Sequence, residues 1–323
     1  MKPSHSPSRF TRLAILTLGV LGSLHPLIAA PDLTRPGVVK EDIVYKKVGE
    51  KELQLDLYYP EQTPTGKYPV VVYTHGGGWA AGSKNALKGG NNMAKTAIGL
   101  AEKGFCVAAV QYRLYSKEGT VTIKDCVTDS KDAIRFLSKN SEELHVDTDR
   151  VFTFGDSAGG QLSQMLLLCP ADLFPGAEEL AGESYTTVAG VSWYGPSDFQ
   201  DTQLFNHNDR PDFRDRFGPR ILAPDSDPAD KAALYKEMSP ITYLKKESPP
   251  LLMIQGDGDT TIPVKHAYHM EKLAKEIGAP VETLIIKNAG HNWRKADGKN
   301  PIEPGMDVIV QRSIDFLAEH LEK

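Results

Sequence analysis

The sequence predicts an α/β fold in which a mostly parallel sheet of about eight strands is flanked by helices. Three observations favour this class. Short apolar runs alternate along the chain with segments of helical periodicity, as in a parallel sheet covered on both faces. Residues 151–162 have the pattern of a strand, a sharp turn and a helix. The candidate catalytic side chains each follow an apolar run, which is where functional groups lie in such sheets.

The first two predicted strands differ from the others. Residues 43–45 and 53–59 alternate apolar and polar side chains around Gly49 and Glu50, which indicates an antiparallel hairpin. The later strands are mostly apolar throughout, which indicates burial on both faces. They are predicted at residues 69–74, 105–110, 151–154, 188–194, 250–255 and 281–286.

Helices are predicted between the later strands, where apolar residues recur every three or four positions. The segment that follows Ser157 has Leu162, Met165 and Leu166 on one face and ends at Pro170. Residues 197–247 are rich in Pro and Asp and carry no strand signal. We interpret them as a small cap-like insertion before the strand that leads to the candidate acid. Residues 31–323 are thus predicted to form one catalytic domain.

Residues 1–30 have the pattern of a secretory signal peptide. Lys2, Arg9 and Arg12 precede a short apolar run, and small residues follow at Ala29 and Ala30. The run is shorter than the roughly 20 residues that span a bilayer. We therefore predict cleavage near Ala30, export to the periplasm or the medium, and no stable membrane association afterwards.

The charge and the cysteine count limit the possible partners. The whole chain has a formal charge of −5, and loss of residues 1–30, with three cations and no acids, gives −8. This acidic balance argues against a nucleic-acid partner. The three cysteines, an odd number, allow one disulfide at most, and Cys169 is expected to be a buried apolar side chain. The subunit number stays open.

The pattern Gly155-Asp156-Ser157-Ala158-Gly159 predicts a nucleophilic serine. It follows four β-forming residues and precedes a predicted helix. This strand-turn-helix context is the one in which Gly-x-Ser-x-Gly indicates a nucleophilic serine. Gly155 and Gly159 are expected because the chain passes very close to itself on either side of such a turn. A nucleophilic serine also needs a base, an acid that orients the base, and donors for the oxyanion.

The helpers are found in the expected order along the chain. His291 follows the last strand beside a glycine and is predicted to be the base. Asp259 follows the strand at 250–255 and is preferred as the acid, because it is the last acid before the next helix. Asp257 is the competitor, with a loop-capping role as its alternative. The pair His266 and His269 has no third ligand candidate, so we predict a solvated helix face and no metal or other cofactor.

His75-Gly76-Gly77-Gly78-Trp79 is predicted to supply backbone N–H groups to the oxyanion. The expected donors are Gly77, Gly78 and Ala158. A phosphate-binding loop is the alternative, but no Gly-Lys-Ser/Thr follows the glycines. His75 is interpreted as a hydrogen-bonding residue that shapes the loop. Four aromatic residues beside the site, with packing as the alternative, are candidates for binding a sugar ring or a feruloyl group: Trp79, Trp193, Tyr194 and Trp293.

These motifs together resemble the α/β-hydrolase superfamily, in particular the hormone-sensitive-lipase-like esterases and their bacterial and fungal feruloyl-esterase-like (BD-FAE) branch. The resemblance extends over residues 40–320 and includes the segments 129–137 and 239–243. It implies the triad Ser157, Asp259 and His291, since the acid in that family lies three residues after the glycine. The usual His before that glycine is Gln255 here, a departure expected to affect the loop but no triad member.

The resemblance implies a serine carboxylesterase that acts on short acyl or feruloyl esters. The predicted export and the aromatic residues beside the site add the expectation that polysaccharides such as xylan carry these esters. Two alternatives stay open. A peptidase of the prolyl-oligopeptidase type shares the fold but usually lacks the His-Gly-Gly-Gly loop. A non-catalytic binder on an esterase scaffold, like the gibberellin receptor, has lost the histidine that is present here as His291.

Overall fold

Eight strands form one sheet in the computed structural model, which describes residues 37–60 and 66–321 together with Met1. The strands are β1 (Val39–Val48), β2 (Lys51–Tyr58), β3 (Tyr68–Thr74), β4 (Cys106–Val110), β5 (Val146–Asp156), β6 (Thr187–Trp193), β7 (Leu251–Gly256) and β8 (Val281–Ile286). Their order across the sheet is β1-β2-β4-β3-β5-β6-β7-β8.

The sheet is antiparallel at one edge and parallel elsewhere. The hairpin strands β1 and β2 pair antiparallel, as do β2 and β4, whereas all pairs from β4 through β3 to β8 are parallel. The predicted fold class is therefore confirmed. Strand β5 starts at Val146, five residues before the predicted start at residue 151. The added residues are partly exposed and mostly polar, so they gave no apolar run in the sequence.

Six α-helices are found among the described residues, and all but the fourth pack on the sheet, with an apolar core on each side of it. They are α1 (Asn92–Glu102), α2 (Ile123–Lys139), α3 (Ala158–Leu168), α4 (Lys231–Glu237), α5 (Lys265–Ile277) and α6 (Met306–Glu319). Helices α1 and α6 pack with Val71 and Tyr73 of β3, while α2 and α3 pack with Val70 and Val72. Alternate residues of one strand thus enter opposite cores, because side chains point in turn to the two faces of a strand.

The stretch 197–247 consists of short 3₁₀ turns, loops and helix α4, and this fully described stretch contains no strand. Its aromatic residues Phe199, Phe205 and Phe217 are buried and pack in one cluster with Trp79 and Leu162. This insertion therefore covers the region where the loop after β3 meets helix α3.

The predicted signal segment, residues 1–30, lies outside the described residues except for Met1. The described residues from 37 to 321 form one compact unit. Among the described residues, no helix combines the length and apolar character needed to cross a bilayer. Cys106, Cys126 and Cys169 are all buried free thiols, so the one disulfide that the sequence allowed is not formed.

Candidate active site

Ser157 occupies the sharp turn between β5 and α3. Its backbone has φ 55° and ψ −118°, an unfavourable conformation for a residue with a side chain. A Cβ on Gly159 would overlap the Thr74 carbonyl, and one on Gly155 would overlap the Gly159 carbonyl. The two glycines therefore let β3, β5 and the first turn of α3 come together, and this close approach fixes the direction of the serine.

The structure brings Ser157, His291 and Asp259 together, although they are far apart in the chain. The Ser157 Oγ lies 3.0 Å from His291 Nε2, and His291 Nδ1 lies 2.7 Å from Asp259 Oδ2. Both distances are within hydrogen-bonding range. The arrangement can transfer a proton from the serine hydroxyl to the imidazole while the carboxylate holds the ring in one tautomer and orientation.

Asp259 rather than Asp257 contacts the imidazole. Its other oxygen, Oδ1, accepts hydrogen bonds from the backbone N–H groups of Thr261 (2.7 Å) and Ile262 (2.9 Å). The Asp259 side chain is buried, whereas Asp257 is exposed. The start of the loop after β7 thus fixes the carboxylate through two donors, and this leaves Oδ2 directed at His291.

Gln255 also holds Asp259, which the sequence interpretation missed. Its Nε2 donates to Asp259 Oδ2 at 3.2 Å and to the Ile262 carbonyl at 2.7 Å. The expectation that this departure from the family pattern would affect only the loop was wrong, because the amide contacts the candidate acid directly. A polar residue inside the otherwise apolar strand β7 was the signal that could have revealed it.

The glycine-rich loop after β3 lies beside the serine turn, since Thr74 of β3 and Gly155 of β5 are partners in the sheet. Gly77 and Gly78 have φ of 120° and 61°, which favour glycine. Within residues 37–60 and 66–321, the N–H groups of Gly77, Gly78 and Ala158 donate to no protein acceptor. These amides are the candidate donors to an oxyanion.

Asp156 ties this loop to the turn, a role that sequence reasoning did not assign. Its Oδ1 accepts hydrogen bonds from the Gly76 N–H (3.1 Å) and the Tyr73 hydroxyl (2.8 Å). Burial raises the pKa of the Asp156 carboxyl, against the opposing effect of these two donors. Since Asp156 immediately precedes Ser157, one side chain sets the position of the glycine-rich loop relative to the nucleophile.

His75 is buried at the base of the same loop. Its Nδ1 lies 2.8 Å from the Gly76 carbonyl oxygen, and its ring stacks on Tyr112 with 4.3 Å between the ring centroids. Burial lowers the pKa of His75 to about 4, so the imidazole is neutral near pH 7. These contacts are those of a residue that shapes the loop.

The four aromatic residues that we expected at the rim are buried instead. Trp79, Trp193 and Tyr194 are at most 1% exposed, and Trp293 is 8% exposed. The idea of an open aromatic platform therefore needs correction. The reason is internal packing. The indole N–H of Trp193 donates to Ser313 Oγ (2.9 Å), and that of Trp79 donates to Gln161 Oε1 (3.1 Å).

The Tyr194 ring packs between the imidazole of His291 and the indole of Trp293. The Tyr194 ring lies edge-on to the imidazole with centroids 4.8 Å apart and contacts Trp293 at 4.7 Å. Trp193 extends the stack, with its ring centroid 5.7 Å from that of Trp293. The aromatic cluster thus holds the loop that carries the base.

The expected solvated face at His266 and His269 was wrong for the first of the two residues. His266 is fully buried, its ring packs edge-on against Phe205, and its Nδ1 accepts a hydrogen bond from the Ser197 N–H. Burial lowers the pKa of His266 to about 3. His269 is partly exposed, with Nε2 3.2 Å from Asp198 Oδ2. In the described part of the chain, no three or more His, Cys, Asp or Glu side chains cluster as metal ligands would.

The sheet order, the serine turn and the three converging side chains define an α/β-hydrolase. The BD-FAE family model matches residues 55–273, more than half of the chain. The chain therefore belongs to the BD-FAE family.

Individual relatives agree with this assignment. The chain is 28% identical over 245 residues to the esterase LipC of Mycobacterium tuberculosis, covering 76% of this chain and 58% of LipC. It is 28% identical over 293 residues to the isoprenylcysteine alpha-carbonyl methylesterase ICME of Arabidopsis thaliana, covering 86% of this chain and 62% of ICME. It thus spans less than two thirds of either relative.

The fold is also similar to that of a solved esterase. Est2 of Thermogutta terrifontis, in its propionate-bound structure, is 25% identical and superposes with a TM-score of 0.67. The match covers 90% of this chain and 94% of Est2.

Proposed function

We propose that this protein is a serine carboxylic-ester hydrolase that works through an acyl-enzyme. The observation that carries the proposal is the continuous contact from Ser157 Oγ through His291 to Asp259, at 3.0 and 2.7 Å. The names of the relatives, an esterase and a methylesterase, support the same reaction class.

The proposed reaction has two similar halves. Ser157 Oγ attacks the ester carbonyl carbon while its proton passes to His291 Nε2, and the carbonyl oxygen becomes an oxyanion that the Gly77, Gly78 and Ala158 amides stabilise. The intermediate expels the alcohol, which takes the proton from His291. Water then attacks the acyl-enzyme with His291 again as base, and this releases the carboxylic acid and restores the serine.

We propose short acyl or feruloyl esters as substrates, with polysaccharides such as xylan as carriers. Membership of the BD-FAE family supports this choice, and the propionate in the Est2 structure supports a short acyl group. The buried aromatic residues give it no support. We also propose export from the cytoplasm, on the basis of the signal-like sequence at residues 1–30.

Replacement of the candidate nucleophile tests the proposal. Ser157→Ala is expected to abolish turnover of p-nitrophenyl butyrate and leave the thermal melt close to that of the wild type, because only one oxygen atom is lost. Ser184→Ala removes the same atom from an exposed serine and serves as the control. Turnover retained by Ser157→Ala would reject the nucleophile. Cleavage of a proline-containing peptide anilide, with no ester turnover, would favour the peptidase alternative.

A further inference from the structure

The insertion contains a concentration of positive charge that the proposed reaction does not use. Between Arg210 and Arg220 there are four arginines and two aspartates, a formal charge of +2, in a chain with a net charge of −5. We call residues 210–220 the arginine-rich segment. Its arginines are Arg210, Arg214, Arg216 and Arg220.

Among the residues that the structure describes, none of the four forms an ion pair with a carboxylate. The nearby Asp215 accepts instead from the Phe217 and Gly218 N–H groups and the Tyr235 hydroxyl. By contrast, the arginines at other described positions include several that are paired with acids, namely Arg113, Arg135, Arg150 and Arg312.

Arg220 lies against the glycine-rich loop. One of its terminal nitrogens donates to the Gly78 carbonyl, and the guanidinium carbon lies 5.6 Å from the centre of the Tyr115 ring and 5.4 Å from that of Phe217. The group is partly buried, and this burial lowers its pKa, although an arginine remains charged. A guanidinium has five N–H donors, so the single contact to Gly78 leaves donors for a ligand.

The arginine-rich segment bridges the two loops that flank the serine. On one side, Phe217 packs edge-on against Trp79, which ends the glycine-rich loop, at 5.9 Å. On the other side, Arg210, Arg214 and Arg216 line a cleft of about 270 Å³ whose wall includes Thr260, the residue after the candidate acid. The segment therefore contacts the glycine-rich loop through Arg220 and Phe217, and its other three arginines share a cleft with Thr260 of the acid loop.

We propose that the arginine-rich segment is a carboxylate-binding subsite, and that Arg220 selects ester substrates that carry a carboxylate near the scissile bond. This inference rests on the proposed esterase function and adds a substrate class to it. A planar guanidinium fork held on aromatic rings is suited to a bidentate contact with a carboxylate. The low polarity around the partly buried Arg220 strengthens such a contact relative to one in bulk water.

Matched pairs of esters that differ by a carboxylate test the proposal. In the first pair, mono-p-nitrophenyl succinate carries a carboxylate on the acyl side and is compared with the neutral p-nitrophenyl butyrate. In the second pair, 4-acetoxybenzoate carries the carboxylate on the alcohol side and is compared with the neutral phenyl acetate. For wild type, Arg220→Gln, Arg220→Lys and the exposed control Arg150→Gln, the quantity compared is the ratio of kcat/KM for the charged ester to that for the neutral one. The ratio corrects for any effect of Arg220 on the Gly78 loop itself.

We expect Arg220→Gln to lower this ratio at least tenfold in one of the two pairs, since hydrogen bonds to charged groups typically contribute about 1.5–3 kcal/mol, or a factor of about 10 to 150. Arg220→Lys retains the charge without the fork and is expected to fall between Arg220→Gln and wild type. Arg150→Gln should leave both ratios unchanged. The pair that responds identifies the side of the ester that bears the carboxylate. Unchanged ratios in both pairs for Arg220→Gln would overturn the proposal.

A binding measurement separates this proposal from the proposed function. Calorimetry with the Ser157→Ala protein and either mono-p-nitrophenyl succinate or 4-acetoxybenzoate requires no turnover. We expect binding of at least one charged ester, with Kd at least tenfold higher when Arg220→Gln is added. Failure of wild type to hydrolyse any ester would refute the esterase function alone. If neither charged ester binds, or if the Kd is unchanged by Arg220→Gln, the subsite alone is refuted.

Discussion

The exchange of Asp259 for asparagine tests the arrangement of the base. In the structure, Asp259 Oδ1 accepts two backbone N–H groups, and Oδ2 faces His291 Nδ1 at 2.7 Å. Asparagine can keep the two contacts to Oδ1, but its NH₂ group then lies where Oδ2 was. An NH₂ group cannot accept a hydrogen bond from Nδ1–H, so it favours the tautomer that carries the proton on Nε2. In that tautomer the imidazole cannot take the proton of Ser157.

The expected loss is large because the change removes the base function itself. Comparable exchanges in serine hydrolases lower kcat by about 10⁴, which corresponds to about 5 kcal/mol of transition-state stabilisation. Asp257→Asn is the matched control. Asp257 is two residues away, exposed, and its carboxylate has no hydrogen-bond partner in the described part of the chain. We expect its kcat/KM to stay within about twofold of wild type.

The assay is the initial rate of p-nitrophenyl butyrate hydrolysis at pH 7.5, with thermal melts to verify that both variants are folded. A folded Asp259→Asn protein with nearly full activity would refute the role of the acid. A greater loss in Asp257→Asn than in Asp259→Asn would transfer that role to Asp257.

Two further predictions concern residues around the site. Gln255→Leu removes the amide that donates to Asp259 at 3.2 Å, so we expect kcat to fall about tenfold with little change in KM; a loss of thermal stability with kcat unchanged would argue against positioning. His266 has its pKa lowered from 6.5 to about 3 by burial, so the unfolded chain binds more protons and stability decreases as the pH falls below 6.5. At pH 5 this amounts to about 2 kcal/mol. His266→Gln should reduce the pH dependence of urea unfolding by that amount, and an unaltered dependence would contradict the assignment.

The parts of the fold that the sequence predicted are those with a local pattern. The four β-forming residues before Gly155 predicted a strand, and the turn glycines stand where the backbone approaches too closely for a Cβ. Ser157, His291 and Asp259 each follow a predicted strand, and parallel strands bring their carboxyl ends to one edge. Convergence of the three side chains therefore followed from topology.

The burial of the aromatic residues could not be predicted from their neighbours along the chain, whereas the burial of His266 could. Trp193 ends β6 beside the site, but its side chain enters the core on the α6 side, where Ser313 accepts its N–H. Ser313 is 120 residues away in the chain, so no local sequence pattern could predict this contact. For His266 a signal existed: it precedes Met270 by four residues, and Met270 is on the buried face of α5.

The position of Arg220 could not be predicted from the sequence at all. Its contact with Gly78 joins two loops 142 residues apart and depends on the path of the irregular insertion, which has no periodicity to interpret. The sequence shows the concentration of arginines, but only the structure shows that none of them pairs with a carboxylate of the described residues and that Arg220 contacts Gly78.

The most direct test of the central claim is to identify the residue that an organophosphate labels. Paraoxon transfers a diethylphosphoryl group to an activated serine oxygen and releases p-nitrophenolate. Peptide mapping by mass spectrometry is predicted to find one such group, on Ser157, with labelling slowed strongly in His291→Ala and absent from that peptide in Ser157→Ala. A wild-type protein that stays unlabelled, or that carries the group on another residue, would contradict the account.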